Sequence, residues 1–550
     1  MQRLPPEALM HVFSHIRPKL AHFDWVCNIM AVCRRWKSIL LRTPRFWADL
    51  IEGSSWHFYG FYSIRLDADV WRRFRFAVVK SGRLPLQLYI TCLDDRVADF
   101  LLPHRCRIST LVISQKYPHT HGPGINRLVR AGLPGLARLS IAYVHYEAGY
   151  TDRDFRMAYP RIDSTLMPQL RALEIPGHHF AGANPLPSLR HLTLGECGWQ
   201  RWCSCGSESH SLDSLLRALE QCHALETLAV QGVPVTHDGD TTDRVVRLNG
   251  LRDLRIEGTA QSIFTYLTHL VFAPTISLYL SITPGDGTFL DVLPPNVEVA
   301  MLGAYDTQRV HFRGLSRSCS VDIYGAHGQE MRITEGREED EVDGYDRQLL
   351  QTVGLFSQVP RVDVELHGQE SANTATLQEV WSKFRRLRSF RMADCDSRLY
   401  LLPFMSSLEG QQSLHALEHL SITWDCAYDG PFFMNRRGGE RDLIVTNGCN
   451  ASVPVWPTPY DASACEAFCD LLAPVLASEP FADSLQCLEV LICPSPTEGY
   501  TPGAEEMAAI QGLLHERLDP LVRELAVVLY RRRIRTTLSR QAVVHRYPQA

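Results

Sequence analysis

The apolar positions near the start of the chain recur with the period of a helix. In LPPEALMHVFSHI, residues 4–16, Leu9, Val12, Phe13 and Ile16 fall on one helical face. Pro6 near the first turn and Glu7 beside the positive end of the helix dipole suit a helix start. A second helix is predicted from about Trp25 to Leu41, with Ile29, Val32, Cys33, Trp36, Ile39 and Leu40 on its apolar face. Prolines at 5, 6, 18 and 44 bound the two segments, and Pro44 forces a break before Phe46 and Trp47. Short helices over some fifty residues cannot hide so many large side chains among themselves. Part of this surface must face another body, either the rest of the chain or a different protein.

After this region, DVWRRFRFAVV (69–79) reads as a helix, and the Lys-Ser-Gly that follows supplies a stop with Gly82 suited to a left-handed cap. LPLQLYI (84–90) alternates and reads as a strand. A different pattern then recurs: an apolar residue, two spacers, Leu, two spacers, Leu, one spacer, then an aliphatic residue. Leu133, Leu136, Leu139 and Ile141 make one copy; Met167, Leu170, Leu173 and Ile175 another; Leu186, Leu189, Leu192 and Leu194 a third. Further copies centre on Leu228, Leu254, Phe390 and Leu420, with partial ones at 108–113 and near 490. Steps of three that end in a step of two are what a turn feeding a short strand produces. Each such unit buries one edge only and needs a neighbour to complete its core.

The copies are unevenly spaced, from 19 residues (Leu173 to Leu192) to 36 (Leu192 to Leu228), with a wide gap after Ile256. Within that gap, residues 278–282, 297–301, 321–323 and 362–366 read as short strands, and degenerate repeats are expected there. TEGREEDEVDGYD (334–346) reads as a solvated acidic loop, and 430–461 as a long loop carrying NRRGGERD and a proline-rich stretch. Residues 502 to about 535 are predicted to be helical, interrupted at Pro520 and able to cap an open end of the array, with a basic end at 531–535.

Composition narrows the function. A net charge of −5 argues against a general nucleic-acid binder. The start of the chain lacks a secretory pattern, and no run of about 18 apolar residues predicts a membrane span. Sixteen scattered cysteines fit reduced thiols in the cytoplasm and/or nucleus. Cys197, Cys203, Cys205 and Cys222-His223 lack the paired spacing of a zinc site, and Cys465 and Cys469, one helical turn apart, read as packing residues. No phosphate-binding loop, nucleophile elbow, HExxH or dinucleotide fingerprint stands in a supporting context. His178-His179, in a predicted loop, has no partner that would make it catalytic. The expectation is a protein that is not an enzyme and holds no cofactor or metal.

Taken as an ordered set, Leu4-Pro5-x-Glu7, Val12-Phe13, Val32-Cys33-Arg34-Arg35-Trp36 and Thr43-Pro44-x-Phe46-Trp47-x-x-Leu50 resemble an F-box. The gap between Phe13 and Cys33 is longer than in the compact motif and is similar to insertions in many fungal F-box proteins. The helix, Ser-Gly and Pro-Leu-x-Leu after it are similar too. The resemblance implies docking on the Skp adaptor of an SCF-type cullin–RING ubiquitin ligase, with Leu4, Pro5, Phe13, Val32, Cys33, Trp36, Pro44 and Trp47 as the contact set. Trp36 and others of these could equally form the motif's own core. The repeats resemble the core of leucine-rich repeats, although the asparagine or cysteine usual after that core is mostly missing. The expected fold class is α/β: an all-helical F-box (1–50), a helix–strand connector (51–105), an irregular leucine-rich-repeat-like solenoid (106–500) and a C-terminal helix with a basic tail (501–550). The alternatives are a helical cap packed on an irregular α/β or α+β domain, a scaffold that pairs with the Skp adaptor or has no link to ubiquitination, and an enzyme built on an irregular α/β domain, which the absent motifs disfavour.

Overall fold

The computed structural model describes residues 4–15, 23–56, 67–91, 93–115, 122–143, 162–180, 185–195, 212–233, 244–273, 275–283, 292–294, 308–315, 318–324, 330–336, 362–368, 387–393, 417–425, 462–477, 485–493 and 504–529. The expected strand at 297–301, the acidic loop beyond Gly336, the long loop at 430–461, Cys197, Cys203, Cys205 and the basic residues 531–535 lie outside them. Two compact units divide the chain between Leu280 and Ser281.

The first unit opens with four helices: α1 (Pro6–His15), α2 (Phe23–Val32), α3 (Arg34–Leu41) and α4 (Pro44–Glu52). The single helix expected from Trp25 to Leu41 is therefore two. The break falls at Cys33, whose backbone is extended at φ −164° and ψ 163°. Its Sγ accepts the backbone N–H of Trp36 at 3.4 Å, so Cys33 serves as the N-cap of α3 in place of the usual hydroxyl or carboxylate. Pro44 occupies the first turn of α4, where its missing N–H costs nothing.

A short strand, β1 (Ser55–Trp56), then pairs in parallel with β2 (Leu86–Ile90). Between them runs α5 (Ala68–Lys80), capped by the Asp67 carboxylate and ended by Gly82 at φ +62°. From β2 the strands follow in chain order, each parallel to the last: β3 (Ile108–Gln115), β4 (Arg138–Tyr143), β5 (Ala172–Pro176), β6 (His191–Gly195), β7 (Thr227–Gln231) and β9 (Asp253–Gly258). β11 (Ser277–Ile282) pairs with β9. The crossovers that parallel pairing requires carry α6 (Asp95–Leu101), α7 (Gly122–Arg130), α8 (Gly177–Phe180), α9 (Leu212–Glu220) and α10 (Ala260–His269). β8 (Val246–Leu248) and β10 (Leu270–Phe272) form a separate parallel pair. His178-His179, expected in a loop, form the single turn of α8.

The repeating template explains the register. Its third position forms a column across the sheet: Leu88, Leu111, Leu139, Leu173, Leu192, Leu228 and Leu254 are aligned strand to strand. Every member is within 2% of full burial. The steps of three are turns, in which the N–H of Leu136, Leu170, Leu189, Leu225 and Leu251 donates to the carbonyl three residues back at 3.0–3.2 Å. Cys222 occupies the first template position, buried among leucines, and its thiol is pushed up to about 12 by that burial. Burial alternates along β2, β5 and β6: Leu86, Leu88, Ile90, Leu173, Ile175, Leu192 and Leu194 are buried and the residues between them are at least partly exposed, so one face of these strands is covered and the other meets solvent. A parallel sheet wrapped by helices on both faces would bury both.

In the second unit β15 (Val362–Gly368), β16 (Leu387–Ala393), β17 (His419–Asp425), β18 (Cys487–Cys493) and β19 (Glu524–Leu529) repeat the arrangement in parallel. Val364, Phe390, Leu420, Leu488 and Leu525 form its column. Helices α11 (Ala462–Leu476) and α12 (Ala504–Leu518) lie in its crossovers, and Cys465 and Cys469 are buried on α11. Two expectations change here. The stretch between the repeats contains β12 (Gln308–Leu315), which pairs in parallel with β15 as a further copy would, and an antiparallel excursion from it through β13 (Ser318–Tyr324) and β14 (Glu330–Gly336). Its opposed pair Asp322 and Arg332 forms an ion pair at 2.6 Å, with Asp322 wholly buried. The C-terminal helix ends at Leu518, and β19 follows, because Pro520 stops the helix and the Val-rich segment beyond it alternates with the period of a strand.

Gly124 on α7 tests the packing of the first unit. A Cβ there would stand 2.5 Å from the carbonyl oxygen of Leu93, which is backbone and cannot move aside. Gly124→Ala is expected to lower the stability of the first unit by ~1–3 kcal/mol. Gly512→Ala, inside α12 with open space at its Cβ, should raise stability by up to ~1 kcal/mol. Denaturant titrations of the two variants check both signs.

Candidate functional site

Three of the four N-terminal helices, α1, α3 and α4, are held together by aromatic rings meeting edge to face. Phe13 of α1 meets Trp36 of α3 at 5.4 Å and Phe46 of α4 at 6.5 Å. Phe46 meets Trp47 at 5.3 Å, and Trp47 meets Phe76 of α5 at 5.1 Å. Phe13, Phe46 and Trp47 are buried, and the Trp47 Nε1–H donates to the Leu40 carbonyl at 2.8 Å. This bond satisfies the indole at the place where α3 ends, so Trp47 locks α4 onto α3. Leu9, Val26, Ile29, Leu40, Leu50 and Ile51 complete the core.

The eight residues expected to meet a partner thus divide into three groups. Leu4, Pro5, Val32 and Pro44 lie on the surface, with Leu4 41% and Val32 60% exposed. Cys33 and Trp36 are half-buried, the first capping α3 and the second presenting one edge to Phe13. Phe13 and Trp47 are core residues that set the positions of α1 and α4. Their rings are not offered at the surface. The Arg35 guanidinium donates to the Leu4 carbonyl and ties the residues before α1 to α3.

Two surface residues escape the sequence pattern. Val12, assigned by periodicity to the buried face, is 46% exposed, and Met10 is 37% exposed. The large apolar residues exposed among the described residues number eight, and Leu4, Met10, Val12 and Val32 are half of them. Among the described residues, half of the exposed large apolar side chains thus fall within the first 32 positions, where scattered single residues would need no explanation. A concentration of this kind suits a surface that another protein covers.

The open face of the sheet is the second candidate surface. On the first unit it carries Arg190 paired with Glu226 at 3.1 Å, His191 beside Thr227 at 3.2 Å, and Arg255 over the Tyr279 ring at 4.9 Å. Buried Ser140 donates to the Glu174 carboxylate at 2.8 Å, and in the second unit Ser421 donates to Glu489 at the same distance. The two serines hold a carboxylate on the neighbouring strand in the same way. The face is polar and charged at these positions and is built from short strands. Among the described residues no group of three His, Cys, Asp or Glu could hold a metal, and no helix is long and apolar enough to cross a membrane.

Trp47→Ala is expected to cost about 3–5 kcal/mol, since it empties a fully buried site and orphans part of the α3–α4 junction. Val32→Ala should leave the melting temperature unchanged, which differential scanning calorimetry would show. In a thiol-labelling course at pH 8, exposed Cys27 and Cys106 should react and Cys222 should not, because its raised pKa keeps it a neutral thiol until well above that pH. No curated protein matches the chain in a sequence comparison. Residues 1–52, the stretch that ends with α4, match the family model described as F-box-like.

Proposed function

We propose that this chain recruits a target protein to an SCF-type cullin–RING ubiquitin ligase. The observation that carries the reading is the F-box-like match over residues 1–52, on a helical module that keeps Leu4, Met10, Val12 and Val32 at its surface. F-box domains generally bind adaptors of the Skp type, and an apolar face left uncovered is what such an adaptor would bury.

In this reading the parallel strands form an irregular leucine-rich-repeat-like solenoid of the kind that follows the F-box in fungal relatives of the family. Support comes from the aligned apolar columns of both units, and from the turn that precedes five strands and the sheet face left open in the first. That open face would hold the target. The chain performs no bond chemistry of its own and works by proximity in the cytoplasm and/or nucleus: it raises the effective concentration of a target lysine near the ubiquitin-loaded enzyme. Parallel units that each contact only their neighbours suit such a role, since side chains on the open face vary without disturbing the buried columns.

The test is binding of the full-length chain to a purified Skp-type adaptor. Leu4→Asp with Val32→Asp should reduce affinity at least ~100-fold, because two buried apolar contacts would be replaced by desolvated charges, while thermal stability stays unchanged. Wild-type binding that survives this double substitution would refute the docking face, and failure of the folded wild-type chain to bind would favour a scaffold unconnected with ubiquitination.

A further inference from the structure

The apolar surface of the helical module continues past residue 52. Helix α5 buries Phe74, Ala77 and Val78 and turns Phe76 and Val79 outward, at 38% and 60% exposure. Their spacing of three places them on one stripe, where a solvated helix face would carry polar residues. The Phe76 ring meets Trp47 at 5.1 Å, so α5 is joined to α4 through the same side chain whose Nε1–H holds α4 to α3. The C-terminal end of the stripe adjoins the start of α4, because a Cβ added at Gly82 would be 3.7 Å from Pro44. Lys80 places its ammonium over the Phe76 ring at 5.6 Å, on the outer side.

Charge points to the same partner chemistry. Residues 33–83 hold eleven Lys and Arg against four Asp and Glu, in a chain whose net charge is −5. Arg34, Arg35, Lys37, Arg42 and Arg45 on or beside α3 and α4 are exposed. An acidic surface would be attracted to this segment and repelled by much of the remainder.

We propose that the Phe76–Val79 stripe, with Lys80 and the Pro44 edge of α4, is a second part of the adaptor-docking surface. It takes an apolar side chain flanked by carboxylates from the same Skp-type adaptor that covers Leu4 and Val32. The inference rests on the adaptor reading above and extends its interface onto α5.

Equilibrium binding of the full-length chain to the purified Skp-type adaptor, by calorimetry at low and high salt, decides it. The variants are Phe76→Ser with Val79→Ser, Lys80→Glu alone, and Leu4→Ser with Val32→Ser as the F-box control. The α5 double variant is expected to bind at least ~10-fold more weakly, and Lys80→Glu several-fold more weakly with a flatter salt dependence. If the F-box control weakens binding while both α5 variants bind as wild type, the extension is wrong and the adaptor reading stands. If wild type itself does not bind, both fail. Should the double variant melt at lower temperature, the stripe packs within the chain, and wild-type affinity of Lys80→Glu, which leaves the packing intact, would then overturn the proposal.

Discussion

A strand of five or six residues cannot bury its own apolar edge, and that constraint organises most of this protein. Leu139 is covered because Leu111 and Leu173 flank it, and Leu173 because Leu192 follows. Each full burial of such a side chain contributes about 1.5–3 kcal/mol, and only when its neighbour is in place. Register is pinned for the same reason. A one-residue slip of β5 would turn Leu173 to solvent and drive Glu174 into the core. The cost of that slip keeps the outward positions aligned as well. Ser140 therefore meets Glu174, and Arg190 meets Glu226, on a face that the fold itself does not need to bury.

The helical module solves a different problem. It has few residues and several large rings, and it buries Phe13, Phe46 and Trp47. Trp36, Phe13, Phe46, Trp47 and Phe76 form one connected line from α3 to α5. The large apolar residues left exposed before α5 are Leu4, Met10, Val12 and Val32. Rigid rings fix the angles of four short helices, none of which would persist alone at this length. A surface held by such a packed core is pre-organised, which lowers the ordering cost of association. The module is also continuous with the array, since β1 leaves α4 and pairs with β2, where Thr91 donates twice to the Trp56 carbonyl. An adaptor held by the helices and a target held by the first unit would thus share one packed body.

Much of this was legible from residue order. The switch from steps of three to a step of two marked where each turn becomes a strand, and those template residues are the buried ones in the described copies. Other features were not legible because they depend on a distant surface. Val12 fits the helical stripe as well as Phe13 does, yet only Phe13 finds Trp36 and Phe46 opposite. Cys33 carries no helix-breaking chemistry, and its role as a cap appears only once α3 leaves α2. The antiparallel strands β13 and β14 bury alternate apolar residues, Val321 and Ile323, Met331 and Ile333, much as the parallel repeats do, so the pattern is silent on direction, which is set by which strand lies alongside.

By itself, then, the sequence determined the helical start, the linker helix ended by Gly82, the period of the array and the positions of most strands. These follow from local spacing, because a side chain's place on a helix or strand is set by the few residues on either side. Tertiary structure alone decided which large residues of the first fifty face inward, where the helix at Cys33 divides, and that the chain returns as β19 after α12. Each of those outcomes turns on the free energy of meeting a particular neighbour, and the neighbours of Trp47, Val12 and Leu525 are brought together only by the fold.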